Sequence, residues 1–141
     1  MVARVKNTHG LNGLRCEIFF NLHSGLFSVR ALAGPDKGRV VAHAESFEME
    51  SASFVVQKAG RAKVLQSRNK NVHAFVRGTI AIGSVARASD HVESWSRVRY
   101  NPYESDSFLA ESGMPVKAAS AAFGRVTIGD KLGKPRVYAL A

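Results

Sequence analysis

The stretch EIFFNLHSGLFSVR, residues 17–30, decides the fold that the sequence predicts. Two runs of alternating apolar and polar residues flank a Ser-Gly dipeptide, which is typical of a tight β-hairpin. With Ser-Gly as the turn, Leu22 faces Phe27 across the hairpin. In the same register Phe20 faces Val29. These four apolar side chains then share one face, so we expect an antiparallel pair of strands with one side in the core.

Further runs of strand-like alternation follow on the C-terminal side, and residues 1–13 are expected to form a flexible arm or a short edge strand. Helical composition is confined to two short segments. About seven or eight short strands with one or two helices, in no strict β-α-β alternation, predict an α+β fold with a mostly antiparallel sheet. We expect one domain, residues 1–141. The predicted strands cover residues 17–23, 26–30, 39–49, 53–57, 72–82, 92–100, 123–128 and 136–140, and the helical segments cover 58–68 and 116–122.

The composition favours an anionic partner. Lys and Arg number 20 against 11 Asp and Glu, which gives a formal net charge of +9 and a pI near 10.2. Such a balance is typical of proteins that bind nucleic acid, nucleotides or anionic surfaces. The single cysteine, Cys16, excludes an intramolecular disulfide framework and a cysteine-rich zinc site. No apolar run approaches the length of a membrane span, so we expect a cytoplasmic protein without a membrane partner.

Positive charge is concentrated in the stretch KAGRAKVLQSRNKNVHAFVR, residues 58–77, and no acid occurs anywhere in residues 51–89. Each Lys or Arg beside a phosphate releases a counterion, so this stretch predicts affinity for polyanions. The alternative is a solvated basic face that keeps the protein in solution.

One strand of this stretch carries the residue types that phosphodiester cleavage needs. His73 and Arg77 lie four residues apart on a predicted strand, so they point to the same side, with Phe75 between them. Cleavage without a metal requires a general base, a general acid and a fixed cation beside the phosphate oxygens. We predict His73 as one proton-transfer group and Arg77 or Lys70 as the cation.

A second histidine, His43 or His23, would complete the acid–base pair. The alternative for each is a structural histidine whose imidazole is hydrogen-bonded within the fold. The histidines show neither a helical i,i+4 pair with an acid between nor a His-x-His strand pair, so we expect no metal and no cofactor.

A second group of candidates lies on the predicted strand 92–100. Alternation places Trp95, Arg97 and Arg99 on one face. An aromatic ring beside guanidinium groups suits a stacked base and its phosphate. We predict Arg99 as a phosphate-binding residue and Tyr103 as a stacking residue. The alternative is a half-exposed strand whose apolar side lies in the core.

Three segments, GPDKGRVVAH (34–43), NVHAFVRG (71–78) and VRYNPY (98–103), give the chain a resemblance to small uncharacterised accessory proteins of tailed bacteriophages. The similarity spans residues 17–110. It implies an intracellular role during infection, and small basic phage proteins include some that bind or degrade nucleotide immune signals of the host. It supplies no catalytic residues.

Together these observations predict a protein that binds a phosphate-rich nucleotide or oligonucleotide in a basic pocket, with a cyclic dinucleotide as one candidate, and cleaves it by metal-independent acid–base chemistry. The alternatives are a non-catalytic sponge for such a signal, an RNA- or DNA-binding protein, and an inhibitor of a host protein. Association into a homo-oligomer is left open. The predicted catalytic residues are His73, His43 and His23, and the predicted ligand-binding residues are Lys70, Arg77, Arg99 and Tyr103.

Overall fold

We analysed a computed structural model of the chain, which describes residues 2–21, 25–67, 74–81, 95–100, 108–126 and 135–140. Within these residues the chain forms ten strands and one α-helix, and no helix among them has the length and hydropathy that crossing a membrane requires. The elements are β1 (Ala3–Val5), β2 (Arg15–Asn21), β3 (Leu26–Ala31), β4 (Val40–Ala44), β5 (Ser46–Val56), α1 (Lys58–Ser67), β6 (Ala74–Ile80), β7 (Trp95–Tyr100), β8 (Phe108–Leu109), β9 (Ala118–Val126) and β10 (Pro135–Leu140).

The expected α+β class with seven strands is therefore wrong, because the described part is mostly β and its ten strands form one sheet. One segment expected to be helical is a strand, and one boundary between two strands lies elsewhere than expected. The alanine-rich segment 116–122 was expected to be helical, yet most of it belongs to β9, where Ala121 and Ala122 are buried in the core. Tertiary packing overrides the helix propensity of alanine there. Residues 39–57 were expected to hold two strands interrupted near residue 50, whereas β5 runs through that point.

The sheet has the strand order β1-β4-β3-β2-β6-β5-β9-β10-β7-β8 and is antiparallel except between β1 and β4. Strands β4 and β5 are separated in the chain only by Glu45, although β3, β2 and β6 lie between them in the sheet. A one-residue connection cannot cross four strand spacings of about 4.8 Å each in a flat sheet. The sheet therefore rolls back on itself, with a corner at Glu45.

Backbone hydrogen bonds fix this corner. The Glu45 N–H donates to the carbonyl of Val5 in β1 over 3.0 Å, and the Glu45 carbonyl accepts from the N–H of Val126 in β9 over 2.9 Å. The same residue therefore joins the first strand of the sheet to its seventh.

The core lies inside the roll. Phe27 of β3 and Phe47 of β5 meet edge to face, with ring centroids 5.0 Å apart, although two strands separate them in the sheet. Gly124 of β9 lies against both rings and leaves them the space that a side chain would fill. Gly78 of β6 plays a similar part, since a Cβ there would lie 2.8 Å from a carbonyl oxygen of β5. The buried core comprises Cys16, Ile18, Phe27, Val29, Ala42, Phe47, Met49, Ala52, Phe54, Val76, Ile80, Val98, Phe108, Ala122 and Ala139.

The hairpin of residues 17–30 forms as β2 and β3, but its predicted register is wrong. Phe20 pairs with Phe27, and Ile18 pairs with Val29, so the pairing is shifted by two residues along β2. A two-residue shift leaves the alternation of faces unchanged, so the apolar residues still face the core. Leu22 lies outside the described residues.

Candidate nucleic-acid interface

The outer side of β9, β10 and β7 carries a concentration of arginine and aromatic side chains. These three strands are neighbours in the sheet, and their core-facing residues include Ala122, Ala139 and Val98. Because successive side chains on a strand point to opposite faces, the residues between the core-facing ones are directed outward. We call this surface the arginine face, and its members are Phe123 and Arg125 of β9, Arg136 and Tyr138 of β10, and Arg97 and Arg99 of β7.

The register arranges the arginine face in two rows. In one row Tyr138 is paired with Phe123 on one side and with Arg97 on the other. In the second row Arg136 is paired with Arg125, and continuing the β10–β7 register by one residue places Arg99 on the other side of Arg136. The second row therefore carries three arginines side by side on three strands.

This row of arginines costs stability in the free protein. Like charges directly opposite each other on neighbouring strands repel. All three side chains are exposed, and no ion pair to any of them is found among the described residues. On β5 the position paired with Arg125 is Ser46, and the nearest acid on the same side of β5 is Glu48, which is paired with Phe123 in the other row. Three exposed guanidinium groups at neighbouring positions, with no ion pair among the described residues, favour an anion held between them.

The other row supplies flat apolar surface. The rings of Phe123 and Tyr138 stack with centroids 4.8 Å apart and an angle of 16° between their planes, and both side chains are half-buried. The guanidinium carbon of Arg125 lies 5.9 Å from the centroid of Phe123. Aromatic rings beside arginines are the elements with which proteins hold bases and phosphates of unpaired nucleotides.

Of the seven residues predicted from the sequence, the structure describes three, and only Arg99 lies on the arginine face. Arg77 is on β6 and His43 on β4. The other four, His73, His23, Lys70 and Tyr103, lie outside the described residues. The basic stretch 58–77 is described only at its two ends, where the predicted helix forms α1 and the predicted strand forms β6.

Arg77 belongs to a separate charged cluster. Its Nε donates to Oε2 of Glu17 over 2.9 Å, while Nη1 of Arg30 donates to Oε1 of the same carboxylate over 3.0 Å. The Glu17 side chain is only 6% exposed, so two arginines share one buried charge. The Arg30 guanidinium also lies 5.1 Å from the ring centroid of Phe19. Arg77 therefore has an evident structural role in holding β6, β2 and β3 together.

His43 also has a partner within the fold. Its Nδ1 lies 2.9 Å from the hydroxyl oxygen of Ser28, which is fully buried on β3. Strand β4 is three strands from β6, a separation of about 14 Å along the sheet. The geometry therefore does not bring His43 and Arg77 to one phosphate group.

The structure adds four residues to the site that the sequence analysis did not assign: Phe123, Arg125, Arg136 and Tyr138. The signal was present as two short alternations, Phe-x-Arg in β9 and Arg-x-Tyr in β10. Both lie in segments that the sequence predicted as strands, 123–128 and 136–140, and the structure pairs these two strands. No group of three or more His, Cys, Asp or Glu residues that could hold a metal ion occurs in the described part of the chain.

Comparison with known proteins identifies the family. A protein-family profile described as "Mycobacterium phage L5 gene 82 protein" matches residues 11–127. The "Gene 82 protein" of Mycobacterium phage L5 is 34% identical over 102 residues, which cover 68% of this chain and 77% of that protein. No solved structure matches the chain. The resemblance to bacteriophage proteins is confirmed, and the chain belongs to the Mycobacterium phage L5 gene 82 protein family.

Proposed function

We propose that this phage protein binds a phosphate-rich nucleotide or nucleic acid in the infected cell, and that the arginine face is its binding surface. The observation that carries the proposal is the row of Arg125, Arg136 and Arg99, whose charges have no described ion-pair partner. The stacked pair of Phe123 and Tyr138 beside that row adds a surface for bases. Host nucleic acid and nucleotide immune signals both belong to this ligand class.

The proposal concerns binding. Metal-independent cleavage stays a prediction, because His73 and His23 lie outside the described residues and His43 is hydrogen-bonded to Ser28. A bound oligonucleotide recovered shortened after incubation would support cleavage by residues beyond those described, whereas intact recovery would leave binding as the activity.

The proposal is tested by changing Arg99, Arg125 and Arg136 together to Gln and measuring the affinity for a fluorescein-labelled oligonucleotide by anisotropy at several salt concentrations. Each lost phosphate contact reduces the slope of log K against log salt by about 0.7 for a single strand. Loss of three contacts should therefore weaken binding and flatten the slope by about 2.

The matched control changes three exposed cations elsewhere, Lys37, Arg39 and Lys117, to Gln. It lowers the net charge by the same amount and leaves the arginine face intact. If the face is the site, this variant keeps the wild-type slope within about 0.5. Equal losses of affinity in the two triple variants would show that only overall charge matters. Unchanged binding by the variant of Arg99, Arg125 and Arg136 would exclude the arginine face as the binding surface.

A further inference from the structure

The arginine face holds one aromatic surface that no described side chain covers. The Tyr138 ring stacks through one face on Phe123. Because β10 lies between β9 and β7, the opposite face of that ring is turned toward β7. Arg97 occupies the paired position there. Among the side chains that the structure describes, neither a ring nor a guanidinium group stacks on this second face.

Arg97 and Arg125 differ in whether the guanidinium group covers a neighbouring aromatic ring. The guanidinium of Arg125 lies over the Phe123 ring, so the outer end of the aromatic pair on the β9 side is already taken. Arg97 is half-buried and makes no such contact with Tyr138. Among the side chains that the structure describes, the ring pair is therefore covered at the end toward Arg125 and uncovered at the end toward Arg97.

We infer that the open face of Tyr138 stacks with an unpaired base, so that the ligand is single-stranded nucleic acid and not a duplex. Arg97 is long enough to close over the second face of that base, since guanidinium planes stack on nucleobases. The arginine row lies two residues further along the strands, about 7 Å away, where it can receive the phosphates that flank the base.

This arrangement discriminates against duplexes because the faces of paired bases are already stacked on their neighbours, and exposing one requires unstacking. A duplex could still touch the arginine row through its backbone, but it would gain nothing from Tyr138. The inference rests on the proposed function, and it adds that the ligand is single-stranded and that Tyr138 distinguishes a single strand from a duplex.

The test compares Tyr138→Leu and Tyr138→Phe with the wild-type protein. The probes are a fluorescein-labelled ten-nucleotide oligothymidylate and the same strand annealed to its complement, with inorganic polyphosphate as a base-free competitor. We expect Tyr138→Leu to weaken single-strand binding by about 5- to 150-fold, the range for loss of one stacked base. Tyr138→Phe keeps the ring and should stay within about twofold of the wild type. Competition by polyphosphate should be the same in all three proteins.

Equal affinity of Tyr138→Leu and wild type for the single strand would overturn the inference, as would a parallel loss of polyphosphate competition. If Tyr138→Leu does not fold, the wild-type protein alone provides the test, because equal affinity for the single strand and the duplex at one salt concentration also overturns the inference. Failure of the proposed function gives a different result: Arg136→Gln would then leave the binding of every probe unchanged.

Discussion

Replacing Gly124 with alanine tests whether the rolled sheet closes around two phenylalanine rings. A methyl group at this position would overlap Cε1 of Phe47 and lie 3.0 Å from Cζ of Phe27. Phe47 is 1% exposed and Phe27 is 2% exposed, and they pack edge to face, so neither ring has room to move aside. Overpacking a filled core costs about 1–3 kcal/mol, and a clash with two buried rings belongs in the upper half of that range.

One effect opposes this loss. Alanine restricts the unfolded chain more than glycine does, which stabilises the folded state by about 0.4–1 kcal/mol where the backbone conformation is compatible. The net result should be a loss of about 2 kcal/mol in the free energy of unfolding. Urea denaturation followed by circular dichroism measures it, as a lower midpoint with an unchanged slope.

Gly10→Ala is the matched control, because no atom lies within 4 Å of a Cβ built there. Its free energy of unfolding should stay within about 0.5 kcal/mol of the wild type. Phe47→Leu removes the ring edge that the new methyl group meets, so the double variant Gly124→Ala/Phe47→Leu should lose at least about 1 kcal/mol less than the sum of the two single losses. A Gly124→Ala variant as stable as Gly10→Ala, or strict additivity with Phe47→Leu, would refute the reasoning.

Three further predictions concern charge. Burial raises the pKa of the Cys16 thiol from 9.0 to about 12, so the thiol ionises first in the unfolded chain, and the free energy of unfolding falls as the pH rises from about 9 toward about 12. Between pH 8 and pH 10 the wild type should lose about 1 kcal/mol more of this free energy than Cys16→Ala does. Parallel pH profiles of the two proteins would contradict this prediction. Glu17→Gln should lower the free energy of unfolding, measured by urea denaturation, by on the order of 2 kcal/mol, because two arginines lose a buried carboxylate. The control Glu111→Gln, at an exposed position, should change this free energy little. Equal effects of the two variants would show that the cluster has no structural role. Polyphosphate at 100 times its dissociation constant should stabilise the wild type by about 2.7 kcal/mol and raise its melting temperature, but should not do so in the variant without the three arginines of the row.

Local patterns predicted the parts of the fold that depend on neighbouring residues. Two alternating runs around a Ser-Gly dipeptide predicted the β2–β3 hairpin, but the observed pairing of Asn21 with Leu26 is not the register that a two-residue Ser-Gly turn gives. The interruption near residue 50 was read as the end of a strand. It is an irregularity in the pairing of β5 with β6, where Ser51 has a φ of 51°, and strands commonly pass through such points without ending.

The candidate site was likewise only partly predictable from the sequence. Period-two alternation placed Arg97 and Arg99 on one face, and the core position of Val98 between them agrees with that placement. Their neighbours Arg125 and Arg136 could not be joined to them from the sequence, because that step requires knowing that β10 pairs with β7 as well as with β9. Pairing between strands distant in the chain is set by packing of the whole sheet and leaves no local pattern.

The place of β5 in the middle of the sheet has a consequence for synthesis on the ribosome. One edge of β5 pairs with β6, which follows soon after it, but the other edge pairs with β9. From Val56 to Ala118 the ribosome adds about 60 residues, which takes about 3–12 s at usual rates of translation. During that interval the nascent chain exposes a long strand edge whose backbone groups can pair with another chain. Chaperones that shield such edges during synthesis should therefore raise the yield of folded protein.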